Sequence, residues 1–227
     1  MKDLVIVGAG GFARETAAAA LAGGRRVLGF VDDNPDLHGT VRSGLPVLGP
    51  VDHVTGLDAD VVVCVGNPRD YTVRQRIVER LGLPTERYAT VLHPSVSVGA
   101  GSTVGAGTVL LAGTVLTADV TVGAHVAVMP QVVLTHDDLV GSYATIASGV
   151  RLGGGAVLET GAYAGSGALI REGVTVGAWA LVGMGSVVLH DVPSGEVWAG
   201  SPARFLKNVP TLPAAPPVPS VLERQTS

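Results

Sequence analysis

The sequence is poor in aromatic residues, in charge and in cysteine. Only 4% of its 227 residues are Phe, Trp or Tyr, so a core resting on large rings is excluded. The single cysteine, Cys64, rules out an internal disulfide and fits a reducing cytoplasm. Charged residues make up 15% of the chain and the net charge is −4, which leaves no basic footprint for nucleic acid and favours a small substrate. Hydrophobic content is high, at 47%. Yet Gly, Thr and Ser interrupt every apolar stretch, and none approaches the ~20 residues of a spanning helix. The opening Met1-Lys2-Asp3 and Leu4-Val5-Ile6-Val7 is too short and too soon acidic for a signal peptide.

Glycine, by contrast, is abundant, with 32 residues. Small side chains and many tight corners point to a repeat architecture. Taking every sixth residue from Val98 to Val188 yields sixteen positions, of which fifteen are Val, Leu or Ile, with no insertion. The residue two places earlier is usually small or Val, as at Thr108, Thr114, Val126, Ala144 and Ala162. An α-helix would scatter such a stripe around its surface, and an ordinary strand would show period two over a shorter stretch. A six-residue period suits a polygonal solenoid in which each hexad supplies one short strand and one corner.

Residues 1–90 read differently, as α/β. Leu4 to Val7 is a strand, followed by Gly8-Ala9-Gly10-Gly11-Phe12-Ala13 and a helix from Arg14 to Ala22 that Gly23-Gly24 ends. Arg26 to Val31 and Asp60 to Val65 are further strands, and Tyr71 to Leu81 is a helix with Arg74, Arg76, Glu79 and Arg80 on its wet side. The alternation implies a small parallel sheet. Gly8-x-Gly10-x-x-Ala13, with Asp32 and Asp33 downstream, resembles a dinucleotide fingerprint, and glycines at a strand-to-helix turn favour a phosphate-bearing ligand. A purely structural turn is the alternative. Residues 209–227 hold five prolines and no period, as expected of a flexible tail.

The repeat is nearly free of charge until Thr135-His136-Asp137-Asp138. An imidazole beside a carboxylate is a suitable general base near neutral pH, because the carboxylate orients the ring and stabilises its cation. With three hexads to a coil, Gly154 lies eighteen residues beyond His136 and stacks on it at about 4.8 Å. Its backbone N–H could hold an oxygen on which negative charge develops. Asp138 occupies an inward position that is usually small, and is either tied to backbone donors or bends the coil. His93, His125 and His136 do not share a coil spacing, so no metal site is expected.

These features resemble the sugar O- and N-acetyltransferases that join a short Rossmann-like domain to a hexapeptide-repeat β-helix. That family includes bacterial sialic acid O-acetyltransferases and N-acetyltransferases of nucleotide-linked 4-amino-sugars. The resemblance runs from residue 2 to about 207 and rests on named motifs. These are Val7-Gly8-Ala9-Gly10-Gly11-Phe12-Ala13-Arg14-Glu15, Phe30-Val31-Asp32-Asp33, Val65-Gly66-Asn67, Leu92-His93-Pro94-Ser95, Thr135-His136-Asp137 and Asp191-Val192-Pro193 through Gly200-Ser201-Pro202-Ala203. It implies an N-terminal Rossmann-like domain (1–90) that binds a nucleotide sugar, then a left-handed parallel β-helix (91–208), in a homotrimer.

It further implies His136 as base, Asp137 as its support and Gly154 at the thioester of acetyl-CoA. Gly8, Gly10, Gly11, Asp32, Asp33, Gly66 and Asn67 would line the nucleotide-sugar pocket. The coenzyme would run along an edge holding the column Ala147, Gly165, Gly183 and Ser201, with Ser166 and Met184 beside it. Gly200, Pro202 and Ala203 would lie near the adenine. Thr145, assigned to the acyl-donor site, stands where many relatives carry a second histidine. Asp138 stands where a cysteine or small residue is common, and Gly155 where asparagine is. The expected activity is acetyl-CoA-dependent N-acetylation of a nucleotide-linked amino sugar. O-acetylation of a free sugar such as a sialic acid, and a non-catalytic assembly solenoid, are the alternatives.

Overall fold

The computed structural model describes residues 2–66 and 70–209. Residue 67, which carries the Asn67 assignment, and all but the first residue of the expected tail lie outside the described residues.

The chain opens with strand β1 (Leu4–Val7), helix α1 (Gly11–Ala22) and strand β2 (Val27–Val31). A two-strand hairpin follows, β3 (Val41–Arg42) with β4 (Leu45–Pro46), then β5 (Asp60–Val63) and helix α2 (Val73–Leu81). The sheet runs β2-β1-β5, all parallel, as the strand–helix alternation implies. α1 starts earlier than expected because Gly10 already serves as its N-cap, and β5 stops at Val63 instead of Val65. The Ala-rich run of α1 has a packing reason: Ala13, Ala17, Ala19 and Ala20 are buried in one cluster with Ile6, Val62, Val91, Val109 and Leu111. The helix is thus wedged between the sheet and the solenoid, where larger side chains would hold the two apart.

From Val91 to Val188 the chain forms seventeen two-residue parallel strands stacked in three walls. Strands such as Val133–Leu134 make the first wall, Leu139–Val140 the second and Thr145–Ile146 the third. Each pairs with the strand eighteen residues away, as Leu116 does with Leu134 and Val122 with Val140. The six-residue stripe forms the core from Leu110 to Val188. Val98 departs from it, being 42% exposed, because it lies in the opening coil with no coil beneath it. Every sixth residue from Gly101 to Gly185 takes a positive φ at a corner, and in most coils glycine supplies it. His125, Asp137, Tyr143 and Trp179 adopt it at a cost of about 1–2 kcal/mol each, and all four bear on the site or on the joint between domain and solenoid.

That joint lies along the corner between the second and third walls. Arg74, read from the sequence as solvent-facing, is buried there at 2% exposure. It donates to the carbonyls of His125, Tyr143 and Ala144, to Val65 O, and to Thr145 Oγ1. A helical period cannot tell a wet face from one that meets a second domain. Tyr71 adds a bond from its hydroxyl to Trp179 O at 2.7 Å. Past Val188 the coil shortens, so Leu181 pairs with Val197 and Val182 with Trp198, and the hairpin Glu196–Gly200/Ala203–Asn208 closes the top. Among the described residues no helix is long and apolar enough to cross a membrane.

Candidate active site

Two sets of residues are positioned by the fold. The first sits at the carboxyl ends of the parallel strands, where open α/β sheets take their ligands. Gly8, Gly10, Gly11, Phe12, Asp32, Cys64, Val65 and Gly66 line one pocket. Gly8 is required there: a Cβ would fall 2.9 Å from Cys64 O at a φ of +100°. A Cβ on Gly10 or Gly11 would meet nothing within 4 Å, so both face open space at the start of α1. Asp32 accepts from Ala9 N at 2.9 Å and from Asn34 N at 2.9 Å, which ties the glycine turn to the end of β2.

Asp33 does not reach the pocket. Its carboxylate accepts from Val51 N and pairs with Arg80 at 2.8 Å. Partial burial pushes its pKa up, but these hydrogen bonds and the Arg80 charge outweigh it and hold the carboxyl below its ordinary range. Of two adjacent aspartates at a strand end, one faces the turn and the other the opposite side, which spacing alone could not assign. Phe12, Cys64 and Val65 line the pocket without having been singled out. Their signal was only adjacency to the glycine motifs. Burial raises the Cys64 thiol to about 12, so it is a packing group and no nucleophile.

The second set is at the corner between the first and second walls. His136 and Asp137 are both about two-thirds exposed, and His136 Nδ1 lies 2.8 Å from Asp137 Oδ2. The carboxylate can only accept, so it selects the tautomer with hydrogen on Nδ1 and leaves the Nε2 lone pair free. The Asp137 hydrogen bond and then its charge raise the His136 pKa above the ordinary value, against a small opposing effect of desolvation. The coil arithmetic holds: a Cβ on Gly154 would collide with His136 Cε1 and Nε2 and sit 3.0 Å from Cδ2. The Gly155 N–H donates to His136 O at 2.8 Å, whereas the Gly154 N–H has no protein acceptor among the described residues.

Asp138 is fully buried and tied to backbone donors. Its Oδ2 accepts from Thr135 N at 2.7 Å and its Oδ1 from Ala156 N at 2.9 Å.

The third corner carries the column assigned to the coenzyme. Ala147, Gly165 and Gly183 stack there, and a Cβ on Gly165 would fall 2.6 Å from Met184 N. The column then continues to Ala199 and not to Ser201, since a Gly183 Cβ would meet Ala199 Cβ at 2.7 Å. The shortened last coil moves the register by two residues. Ser166 is exposed and Met184 is 82% exposed on this edge. Gly200 and Pro202 form the turn of the closing hairpin, while Ala203 is buried in the solenoid core and offers no side chain to a ligand. Thr145 lies on the third wall beneath α2, where Arg74 holds its hydroxyl at 3.0 Å. Among the described residues no group of three or more His, Cys, Asp or Glu could hold a metal ion.

With this geometry in hand, the chain can be set beside known proteins. The PglD N-terminal domain family matches residues 3–81. No curated protein sequence matches. Among solved structures, the acetyltransferase domain of PglB from Neisseria gonorrhoeae is 28% identical with a TM-score of 0.81, covering 91% of this chain and 100% of its own. That domain has also been solved in complex with acetyl coenzyme A. PerB from Caulobacter crescentus, in complex with CoA and GDP-perosamine, is 26% identical with a TM-score of 0.70, covering 91% of this chain and 98% of its own. WeeI from Acinetobacter baumannii shares the fold at 24% identity and a TM-score of 0.65, covering 91% of this chain and 100% of its own. The chain is therefore similar, through both its α/β part and its solenoid, to hexapeptide-repeat sugar acetyltransferases.

Proposed function

We propose that this chain is an acetyl-CoA-dependent acetyltransferase that N-acetylates a nucleotide-linked amino sugar. The observation that carries the reading is the His136–Asp137 pair, with free Nε2, stacked on Gly154 and its unpartnered N–H. A general base and an oxyanion donor on neighbouring coils are the two parts that amine acylation by a thioester needs. The sugar amine attacks the thioester carbonyl while His136 Nε2 takes the amine proton. The Gly154 N–H holds the oxygen as it becomes negative. The carbon–sulfur bond then breaks, and the thiolate of coenzyme A leaves with the proton returned from His136. No acyl-enzyme forms. The complex of PerB with GDP-perosamine, an amino-sugar nucleotide, supports N- over O-acetylation, as does the glycine pocket at the start of α1. Of the residues assigned to that pocket, we retain Gly8, Gly10, Gly11, Asp32 and Gly66.

The pocket contains no solenoid residue. The α/β part covers the third wall and the corner at His125, Tyr143 and Trp179, whereas His136 stands on a different corner. This separation supports a homotrimer in which a neighbouring copy brings its His136 to the pocket, with coenzyme A along the Ala147–Gly165–Gly183 edge. The reading places the enzyme in the cytoplasm, where both nucleotide sugars and acetyl-CoA are available.

The test is thiol release from acetyl-CoA with a panel of UDP-, TDP- and GDP-linked amino sugars and free sialic acid. At least one amino-sugar nucleotide is expected to turn over, and His136→Ala to lose about two to four orders of magnitude. Turnover on sialic acid alone refutes N-acetylation. Undiminished turnover in the variant refutes the base.

A further inference from the structure

A carboxylate buried in an aliphatic solenoid is costly unless its oxygens are well bonded. Asp138 has 0% exposure and no cationic side chain bonded to it. At the equivalent corner position other coils carry Ser102, Val120, Ala156 and Val174, so neither the fold nor the period asks for an acid here. Ser102 shows what a smaller group achieves: its hydroxyl accepts from Val120 N, one coil on, at 3.1 Å. Asp138 makes the same bond upward, to Ala156 N, and uses its second oxygen on Thr135 N of its own turn. The second bond, to Thr135 N, has no counterpart at Ser102, where Gly99 N stays in the ladder with Leu116 O. It fixes the residue just before His136, while the first fixes the segment just after Gly154.

We propose that Asp138 is a positioning residue for this acid–base corner, its carboxylate holding the backbone on both sides of the His136–Gly154 stack at once. The inference rests on His136 being the base. It accounts for a residue type that binary patterning disfavours, and it locates the reason in the backbone of the two segments that must keep about 0.5 Å precision for efficient transfer.

The charge matters as well as the bonds. Asp137 acts most strongly on His136, through its hydrogen bond and charge, and Asp138 adds to the same upward shift. Burial in turn pushes the Asp138 carboxyl up to about 6, against the two backbone bonds and the His136 charge. The groups that face it are few. His136 and Asp137 share its corner, the coil above presents Gly153, Gly154, Gly155 and Ala156, and the coil below brings only Asp119 as a further titratable group. Arg151 on the flanking first-wall strand is exposed. Between its ordinary value and about 6 the native state holds the Asp138 proton more tightly than the unfolded chain does. Its contribution to stability therefore falls as pH rises through that window.

Asp138→Ser keeps the bond to Ala156 N, as Ser102 does to Val120 N, and releases Thr135 N. Asp138→Asn keeps the size, removes the charge and can accept from only one of the two N–H groups. Each variant would be assayed by acetyl-CoA thiol release on the full chain, by thermal unfolding, and by NMR titration of the His136 ring identified against His136→Ala. The expected result is a folded protein with kcat at least about ten-fold lower, KM for acetyl-CoA within about two-fold, and the His136 titration moved to lower pH. Wild-type kcat and an unmoved titration in both variants overturn the proposal. Loss of the fold in both overturns it too, since the role would then be structural. His136→Ala with undiminished turnover would instead sink the assignment of the base, while the ring titration still reports on Asp138.

Discussion

Gly154→Ala separates catalytic from structural demands on the stacked corner. The backbone of Gly154 is not in the left-handed region, so alanine meets no conformational penalty there. By restricting the unfolded chain it could add about 0.4–1 kcal/mol. The new Cβ would nevertheless collide with Cε1 and Nε2 of His136. That ring is 68% exposed, so it can swing outward at a cost of roughly 0.5–1.5 kcal/mol for an off-rotamer angle. The two effects nearly cancel, and stability should change by less than about 1 kcal/mol. Activity should not be spared. Moving the base by about 1 Å costs on the order of a hundred-fold, equivalent to about 2.7 kcal/mol in the barrier.

Gly153→Ala is the control. Its Cβ would meet the backbone at 2.6 Å from Glu172 N and 3.2 Å from Arg171 C, which cannot swing away, so this variant should lose stability. Thiol release from acetyl-CoA and thermal unfolding read both effects. A Gly154→Ala protein with wild-type kcat would refute the stacked acid–base arrangement. One that unfolds as readily as Gly153→Ala would make Gly154 a packing residue.

Asp137→Asn removes the main cause of the raised His136 pKa. As the proposed base, His136 acts only when deprotonated, so kcat rises with pH through its pKa, and the acid limb of the profile should move to lower pH in this variant, with a lower plateau because the amide can donate as well as accept and no longer fixes the tautomer with hydrogen on Nδ1. An acid limb at the wild-type position would refute the pairing. Arg74→Met removes every donor that joins α2 to His125 O, Tyr143 O, Ala144 O and Thr145 Oγ1. Leaving His125 O and Tyr143 O without a donor, while Ala144 O keeps Ala127 N, should cost about 2–4 kcal/mol in chemical denaturation, and an unchanged midpoint would show the joint to be held by apolar contacts alone.

Much of the site was legible from spacing because a β-helix converts sequence separation into height. Eighteen residues make one coil, so His136 and Gly154 had to stack, as did Ala147, Gly165 and Gly183. The arithmetic failed where the coil changed length: beyond Val188 Gly183 meets Ala199 in place of Ser201. The helical period misplaced Arg74 on the wet side, because the polar face of α2 reads alike whether it meets water or carbonyls on a solenoid corner.

By itself, then, the sequence determined the repeat, the parallel α/β layer before it, the glycine turn and the His136-Asp137-Asp138 cluster of the solenoid. Each is a local or strictly periodic property, and its physical cause lies within a few residues or one coil. The tertiary structure alone decided which of Asp32 and Asp33 faces the pocket and where the α/β part docks. It also decided how the buried Asp138 is satisfied, by Thr135 N and Ala156 N. These depend on which backbone donors and acceptors are left without partners once the chain is folded, and that is known only when all of them are in place.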